Sequence, residues 1–237
     1  MIQKILTSLK LPLVFVQGAY FFITMKKLAD PDGSRTGIAG QGQTIKLLVI
    51  GDSSALGVGC KKMQETSTGV LVKQLSATYQ VNYHICAFTG YTTAQILAAV
   101  KQLPLTPFDY VVISVGSNDI VKGNSLKKWK QHSDALNAYI EKNFNPKKIL
   151  MSAIPPFQKL PTLPYLMRHY LAERSQSMNY YLMAHSHTNP IYNYLDLDFD
   201  FLPEYISEDG FHPSSALYKI QGERLANFIT KHTYINQ

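Results

Sequence analysis

Cysteine is scarce in this chain: among 237 residues only Cys60 and Cys86 carry a thiol, and neither belongs to a C-x-x-C pair. A disulfide framework and a thiolate zinc site are therefore not expected to supply the stability or the chemistry. Cys86 lies in the apolar run VNYHICAF and reads as a buried thiol, and Cys60 closes a glycine-rich turn. Charge is also thin, at 16% of residues, and the net balance of +7 is spread over pairs such as Lys61-Lys62, Lys127-Lys128 and Lys147-Lys148. No basic stripe with interleaved aromatics appears, so nucleic acid is not an expected partner. Solvated charge is the plainer meaning of the positive balance, with attraction to anionic lipid or acidic cell-wall surfaces as the other.

The N-terminal apolar stretch is too short to span a bilayer. LPLVFVQGAYFFITM, from Leu11 to Met25, would extend about 22 Å as a helix against a hydrocarbon core of roughly 30 Å, and Pro12, Gln17 and Gly18 weaken it further. No small-residue cleavage site precedes Lys26-Lys27, so a cytoplasmic or membrane-associated protein is expected rather than one exported by cleavage. Two readings of residues 11–25 stand level. One is a helix packed on the domain that follows, and the other is peripheral membrane contact, with an aromatic face in lipid and lysines at the head groups.

What is present divides into three parts. Residues 1–27 form the apolar extension, and residues 28–44 (LADPDGSRTGIAGQGQT) read as a loop or linker from their proline and glycines. Residues 45–237, in a chain that is 46% hydrophobic, are enough for one globular domain. Strands are expected at Ile45 to Ile50, Val81 to Ala87, Tyr110 to Val115, Lys148 to Ala153 and Ile191 to Leu195. Helices are expected at Ser67 to Tyr79, Thr92 to Leu103, Leu126 to Asn143, Tyr165 to His185 and Ser214 to Lys231. That alternation predicts a parallel sheet between helical layers.

Four short motifs follow the ends of these strands: Gly51-Asp52-Ser53, Gly90, Gly116-Ser117-Asn118-Asp119, and Asp209-Gly210-Phe211-His212-Pro213. Each alone reads first as turn or cap chemistry. Together, at the carboxyl ends of parallel strands where ligands gather, they supply a complete hydrolytic set. A serine hydroxyl is a poor nucleophile at neutral pH and needs an imidazole within reach; Ser53 and His212 fill those roles. Asp209, three residues before His212, can hold one tautomer and stabilise the imidazolium. The backbone amides of Ser53 and Gly90 and the side-chain amide of Asn118 can act as oxyanion donors. Asp52 and Asp119 are expected to brace their turns rather than react. The set needs no metal or organic cofactor.

On these residues the chain resembles the SGNH hydrolase superfamily, the GDSL-type esterases and lipases, with Ser53 in GDSSALGVG, Gly90 in FTGYTTAQI, Asn118 in VGSND and His212 in DGFHP. The resemblance runs from about Ile45 to the C-terminal helix. It implies a flavodoxin-like three-layer α/β/α sandwich with a central parallel sheet, and a Ser53, Asp209, His212 triad. One departure is Ser54, where many members carry Leu or Ile, which places a rival hydroxyl beside the nucleophile. The α/β-hydrolase fold, which shares the Ser, Asp, His order, is set aside because its G-x-S-x-G elbow is missing.

Other constellations are weaker. Asp196, Asp198 and Asp200 alternate with Leu197, Phe199 and Phe201 but lack the glycine and terminal glutamate of a calcium loop, so a half-exposed strand edge near the site entrance is the better account. His185 and His187 have no accompanying carboxylate or cysteine set and read as structural. The proline-broken segment PPFQKLPTLPYLMRHYL, with Phe157, Leu160, Leu163 and Tyr165, is the candidate acyl-binding wall. The expected activity is hydrolysis of a small-molecule or lipid-like ester with a short-to-medium acyl chain. An acyltransferase or deacetylase acting on cell-envelope glycans, and a non-enzymatic lipid-binding protein of the same fold, are the alternatives.

Overall fold

The computed structural model describes residues 2–196 and 202–235. In chain order the elements are α1 (Ile2–Thr24), β1 (Thr36–Ala39), β2 (Thr44–Gly51), α2 (Ser53–Leu56), α3 (Ser67–Leu75), β3 (Gln80–Ala87), α4 (Thr93–Val100) and β4 (Tyr110–Ser114). They continue with α5 (Ser117–Val121), α6 (Leu126–Phe144), β5 (Lys148–Ser152), α7 (Tyr165–Ser186), β6 (Tyr192–Leu195) and α8 (Ser215–Ile235).

A six-stranded sheet in the order β1-β3-β2-β4-β5-β6 is parallel throughout except for β1, which runs antiparallel to β3 with Thr36 opposite His84 and Ala39 opposite Val81. Both faces are covered, which is why the strands read as continuous apolar runs. Side chains still alternate along them. Leu48 and Ile50 of β2 join one core with Val111, Ile113, Ile149 and Met151, under residues of α4, α6 and α7. Leu47 and Val49 enter the other core with Val112 and Leu150, under α2, α3 and α8. The helical layers on the two faces make the flavodoxin-like sandwich.

Residues 28–44 are more than a linker. Thr36–Ala39 adds the antiparallel edge strand, so the sheet is mixed rather than wholly parallel. Arg35 anchors this segment by donating to the Ala87 carbonyl at 3.0 Å and pairing with Asp30 at 3.2 Å. The N-terminal helix lies against α7, where Val14 is buried and Gln17 accepts a hydrogen bond from the Met167 amide at 3.2 Å. Among the described residues no helix is long and apolar enough to cross a membrane. The strand edge expected at Asp196 to Phe201 falls, beyond Asp196, outside the described residues.

Helix starts have local causes. The Thr66 hydroxyl caps α3 by accepting from Gly69 N at 3.1 Å, and Ser125 caps α6 by accepting from Lys128 N at 3.2 Å. Chain order places β3 on one side of β2 and β4 on the other, so the connections leaving β2 diverge. In open α/β sheets that divergence opens a crevice at the carboxyl ends of the strands. Three of the four motifs leave the sheet there: Ser53 after β2, Gly90 after β3 and Asn118 after β4.

Candidate active site

Ser53 is the first residue of α2, just past a sharp strand-to-helix turn, and is buried. The turn depends on Gly51, because a Cβ there would stand 1.9 Å from the Ser114 carbonyl oxygen of β4. Asp52 caps α2 by accepting from Ser54 N at 3.0 Å. Ser53 Oγ lies 2.9 Å from His212 Nε2, and His212 Nδ1 lies 2.5 Å from Asp209 Oδ2. Serine, imidazole and carboxylate thus form one continuous line, although 159 residues separate Ser53 from His212. The hydroxyl that meets the imidazole belongs to Ser53; Ser54 instead lines the adjoining cavity.

The loop carrying His212 is fastened at several points. Asp209 Oδ1 accepts from the amides of Phe211 at 2.9 Å and His212 at 3.0 Å. Ser207 donates its backbone N–H to the His212 carbonyl at 2.8 Å and its hydroxyl to the Pro213 carbonyl at 2.6 Å. Burial opposes ionisation of Asp209, yet the His212 hydrogen bond and the two backbone amides outweigh it and hold the carboxyl below its ordinary range. Deep burial acts on Asp52 with less opposition and pushes its carboxyl up to about 6; its Oδ2 has no hydrogen-bond partner.

Gly90 sits at φ +80°, a conformation that favours glycine, and a Cβ there would meet nothing within 4 Å. Its loop is stiffened by the stacked rings of Phe88 and Tyr91, 4.9 Å apart, and by Lys122, which donates to the Gly90 carbonyl at 2.8 Å. Asn118 Nδ2 donates to the Tyr91 carbonyl at 3.1 Å and so joins the second and third motifs. One N–H of that amide remains for another acceptor. Asp119 is buried and fully employed: Oδ2 accepts from the amide and hydroxyl of Thr93, both at 2.8 Å, and Oδ1 accepts from Asn124 at 3.0 Å.

A cavity of about 30 Å³ adjoins Ser53, Asn118 and His212. Of the four wall residues expected from the proline-broken segment, Phe157 and Leu160 line it and two do not. Leu163 is 2% exposed inside the core, and Tyr165 is 62% exposed at the start of α7, its ring against His169. The facing wall comes from residues around His212 that sequence reasoning missed: Tyr205, Ile206, Phe211 and Leu217. Phe211 stacks on Phe157 at 6.0 Å, and only its apolar character beside His212 hinted at this role. Tyr218 was also missed; fully buried, it donates to the Val58 carbonyl at 2.9 Å and ties α8 to the turn after α2.

The remaining candidates are structural in their contacts. His185 lies between Tyr181 and Tyr192, at 6.2 and 4.5 Å, and both cysteines are buried free thiols. Among the described residues no group of three or more His, Cys, Asp or Glu side chains is arranged to hold a metal ion.

The model of the GDSL-like Lipase/Acylhydrolase family matches residues 49–220, well over half of the chain. No curated protein matches the chain in sequence. Among solved structures, the esterase EstA from Pseudoalteromonas sp., in a form inhibited by monoethylphosphonate, is 19% identical with a TM-score of 0.56, covering 81% of this chain and 99% of that one. A lipase/acylhydrolase from Enterococcus faecalis is 19% identical with a TM-score of 0.56, covering 79% and 96%. A carbohydrate esterase family 2 enzyme with a carbohydrate-binding domain, from Myceliophthora fergusii, is 15% identical with a TM-score of 0.59, covering 85% and 68%. At these identities the likeness is one of fold.

Proposed function

The chain belongs to the GDSL-like lipase/acylhydrolase family, and on that premise we propose that it is a serine esterase that hydrolyses carboxylic esters of short acyl chains through an acyl-enzyme. The observation that carries this reading is the unbroken line from Ser53 Oγ through His212 to Asp209. His212 Nε2 takes the Ser53 proton as Oγ bonds to the ester carbonyl carbon. The developing oxyanion is met by the amides of Ser53 and Gly90 and the spare N–H of Asn118. The protonated imidazole, steadied by Asp209, gives its proton to the departing alkoxide as the C–O bond breaks. Water, deprotonated by the same imidazole, then releases the acid and restores Ser53.

The cavity supports the short end of the acyl range. A water-sized group needs about 10–15 Å³ of such space, so about 30 Å³ suits a small acyl group such as acetyl or propionyl. Apolar Phe157, Leu160 and Leu217 in its wall suit a hydrocarbon acyl group. A deacetylase acting on glycans is the second reading; the same acetyl-sized space favours it, and the alcohol side of the ester separates the two.

The test is covalent labelling with a fluorophosphonate, alongside turnover of nitrophenyl esters of increasing acyl length and of acetylated sugars. The wild-type protein is expected to label and Ser53→Ala to remain folded and unlabelled, with turnover highest on acetate and falling steeply beyond butyrate. Labelling that persists in Ser53→Ala would sink the assignment. A flat profile from acetate to long chains would sink the acyl preference alone.

A further inference from the structure

The N-terminal helix is apolar on its outward side as well as on the side that packs on the protein. From Leu11 to Met25 it contains no charged residue, and its one amide, Gln17, faces the protein and accepts from Met167 N at 3.2 Å. The inward side also carries Val14, and Phe21 and Phe22, whose rings lie 6.3 and 5.5 Å from that of Phe211. The outward side carries Leu13, Val16, Tyr20 and Ile23, spaced three, four and three residues apart and 50%, 64%, 69% and 80% exposed. On the surface helix of a water-soluble domain the polar stripe faces out. Here the outward stripe is hydrocarbon and aromatic.

A second observation indicates what covers it. Between α1 and α7 lies a groove of about 250 Å³ lined by apolar groups, among them Phe15, Ala19, Phe22, Val121 and Leu171. Phe15 and Ala19 are themselves exposed, so the groove is continuous with the outward stripe. It is far larger than the 30 Å³ cavity at Ser53 and offers no charged group to a polar ligand. Its chemistry suits an acyl tail.

Charge completes the pattern. The uncharged stretch is followed by Lys26 and Lys27, on a chain of net charge +7. Lys26 pairs with Glu208 at 2.7 Å, which fixes the end of the helix beside the loop that bears Asp209. Lys27 is exposed. Cations flanking an apolar face match the phosphate layer of an anionic bilayer, whose polar boundary accepts Tyr20 with its ring in hydrocarbon and its hydroxyl in the head groups.

We propose that the outward face of α1 docks in the plane of an anionic lipid bilayer, with the groove between α1 and α7 receiving a lipid acyl tail. A helix packed along one side on α7 has only its other side to offer lipid, which fits lying on a membrane rather than crossing it. The proposal rests on the helix and stands independently of the esterase reading.

The test is cosedimentation of the full chain with vesicles of mixed phosphatidylcholine and phosphatidylglycerol, compared with phosphatidylcholine alone. Binding is expected to the anionic vesicles, about tenfold or more weaker both to the neutral ones and in the triple variant Val16→Asn, Tyr20→Asn, Ile23→Asn. An unchanged far-ultraviolet circular dichroism spectrum and cooperative thermal unfolding show that this variant has folded. Independently of that variant, the added emission of Tyr20→Trp over buried Trp129 should be quenched by brominated acyl chains. Absence of binding and quenching would overturn the proposal. So would binding unaltered by the triple substitution, or sedimentation showing that the stripe is covered by a second copy of the chain.

Discussion

The two aspartates nearest Ser53 are both buried and reach opposite electrostatic outcomes. Asp209, 7% exposed, accepts two backbone amides and the His212 ring, and its carboxyl stays below the ordinary range. Asp52, 2% exposed, accepts one amide, leaves Oδ2 without a partner, and is pushed up to about 6. Burial acts on both in the same direction; at Asp209 the His212 ring and two backbone amides outweigh it, while at Asp52 burial prevails and repulsion from the Asp119 carboxylate adds to it. The turn ahead of Ser53 tolerates a carboxyl that is costly to ionise, whereas the His212 loop is built to keep one charged. Asp119, one strand further along the sheet, resembles Asp209 in being fully partnered, but its partners are structural rather than an imidazole.

Three substitutions test that contrast. The largest effect is expected for Asp209→Asn, which keeps the shape and removes the charge that steadies His212; kcat should fall by about 10³ to 10⁴ with the melting temperature changed far less. If kcat falls less than about tenfold, the two aspartates differ in environment but not in role. Next comes Asp119→Ala, which strands the amide and hydroxyl of Thr93 and the Asn124 amide. Urea unfolding should show a loss of about 3 kcal/mol, since a buried hydrogen bond to a charged group contributes roughly 1.5–3 kcal/mol.

The third effect has the opposite sign. Asp52→Asn keeps an oxygen to accept the Ser54 amide and removes a group whose ionisation is unfavourable in the folded state. Because its folded value is raised from 3.8 to about 6, the cost of ionising it is absent at acid pH, grows across that window and is complete above it. The variant should therefore gain on the wild type as pH rises through the window and hold a constant advantage above it, up to about 3 kcal/mol. Thermal melts at a series of pH values measure this. An advantage that does not change with pH would show that Asp52 is not ionising there.

The parallel strands were legible in the sequence because both faces of the sheet are covered, so β2, β4 and β5 carry unbroken apolar runs. β1 was not. Its four residues, TGIA, are half exposed and embedded in a glycine-rich stretch, and they become a strand only through pairing with β3, more than forty residues later. The same physics divides the site. Ser53, His212 and Asp209 stand in short motifs whose residue types announce their chemistry. The cavity wall is assembled from side chains that are ordinary apolar residues in sequence, so Phe157 and Leu160 could be picked from their segment while Ile206, Phe211 and Leu217 could not. Leu163, from that segment, was taken into the core instead.

The antiparallel β1 also bears on how this protein behaves when crowded. Without it, β3 would present a free eight-residue border of unpaired amides and carbonyls, a template on which another chain could zip. Four residues of β1 occupy that border from Val81 to His84 and leave in its place a shorter strand, bounded by Arg35 and Gly40. The short glycine-containing hem at the side of the sheet thus works as a guard against aggregation, and its removal would endanger solubility before it touched the chemistry at Ser53.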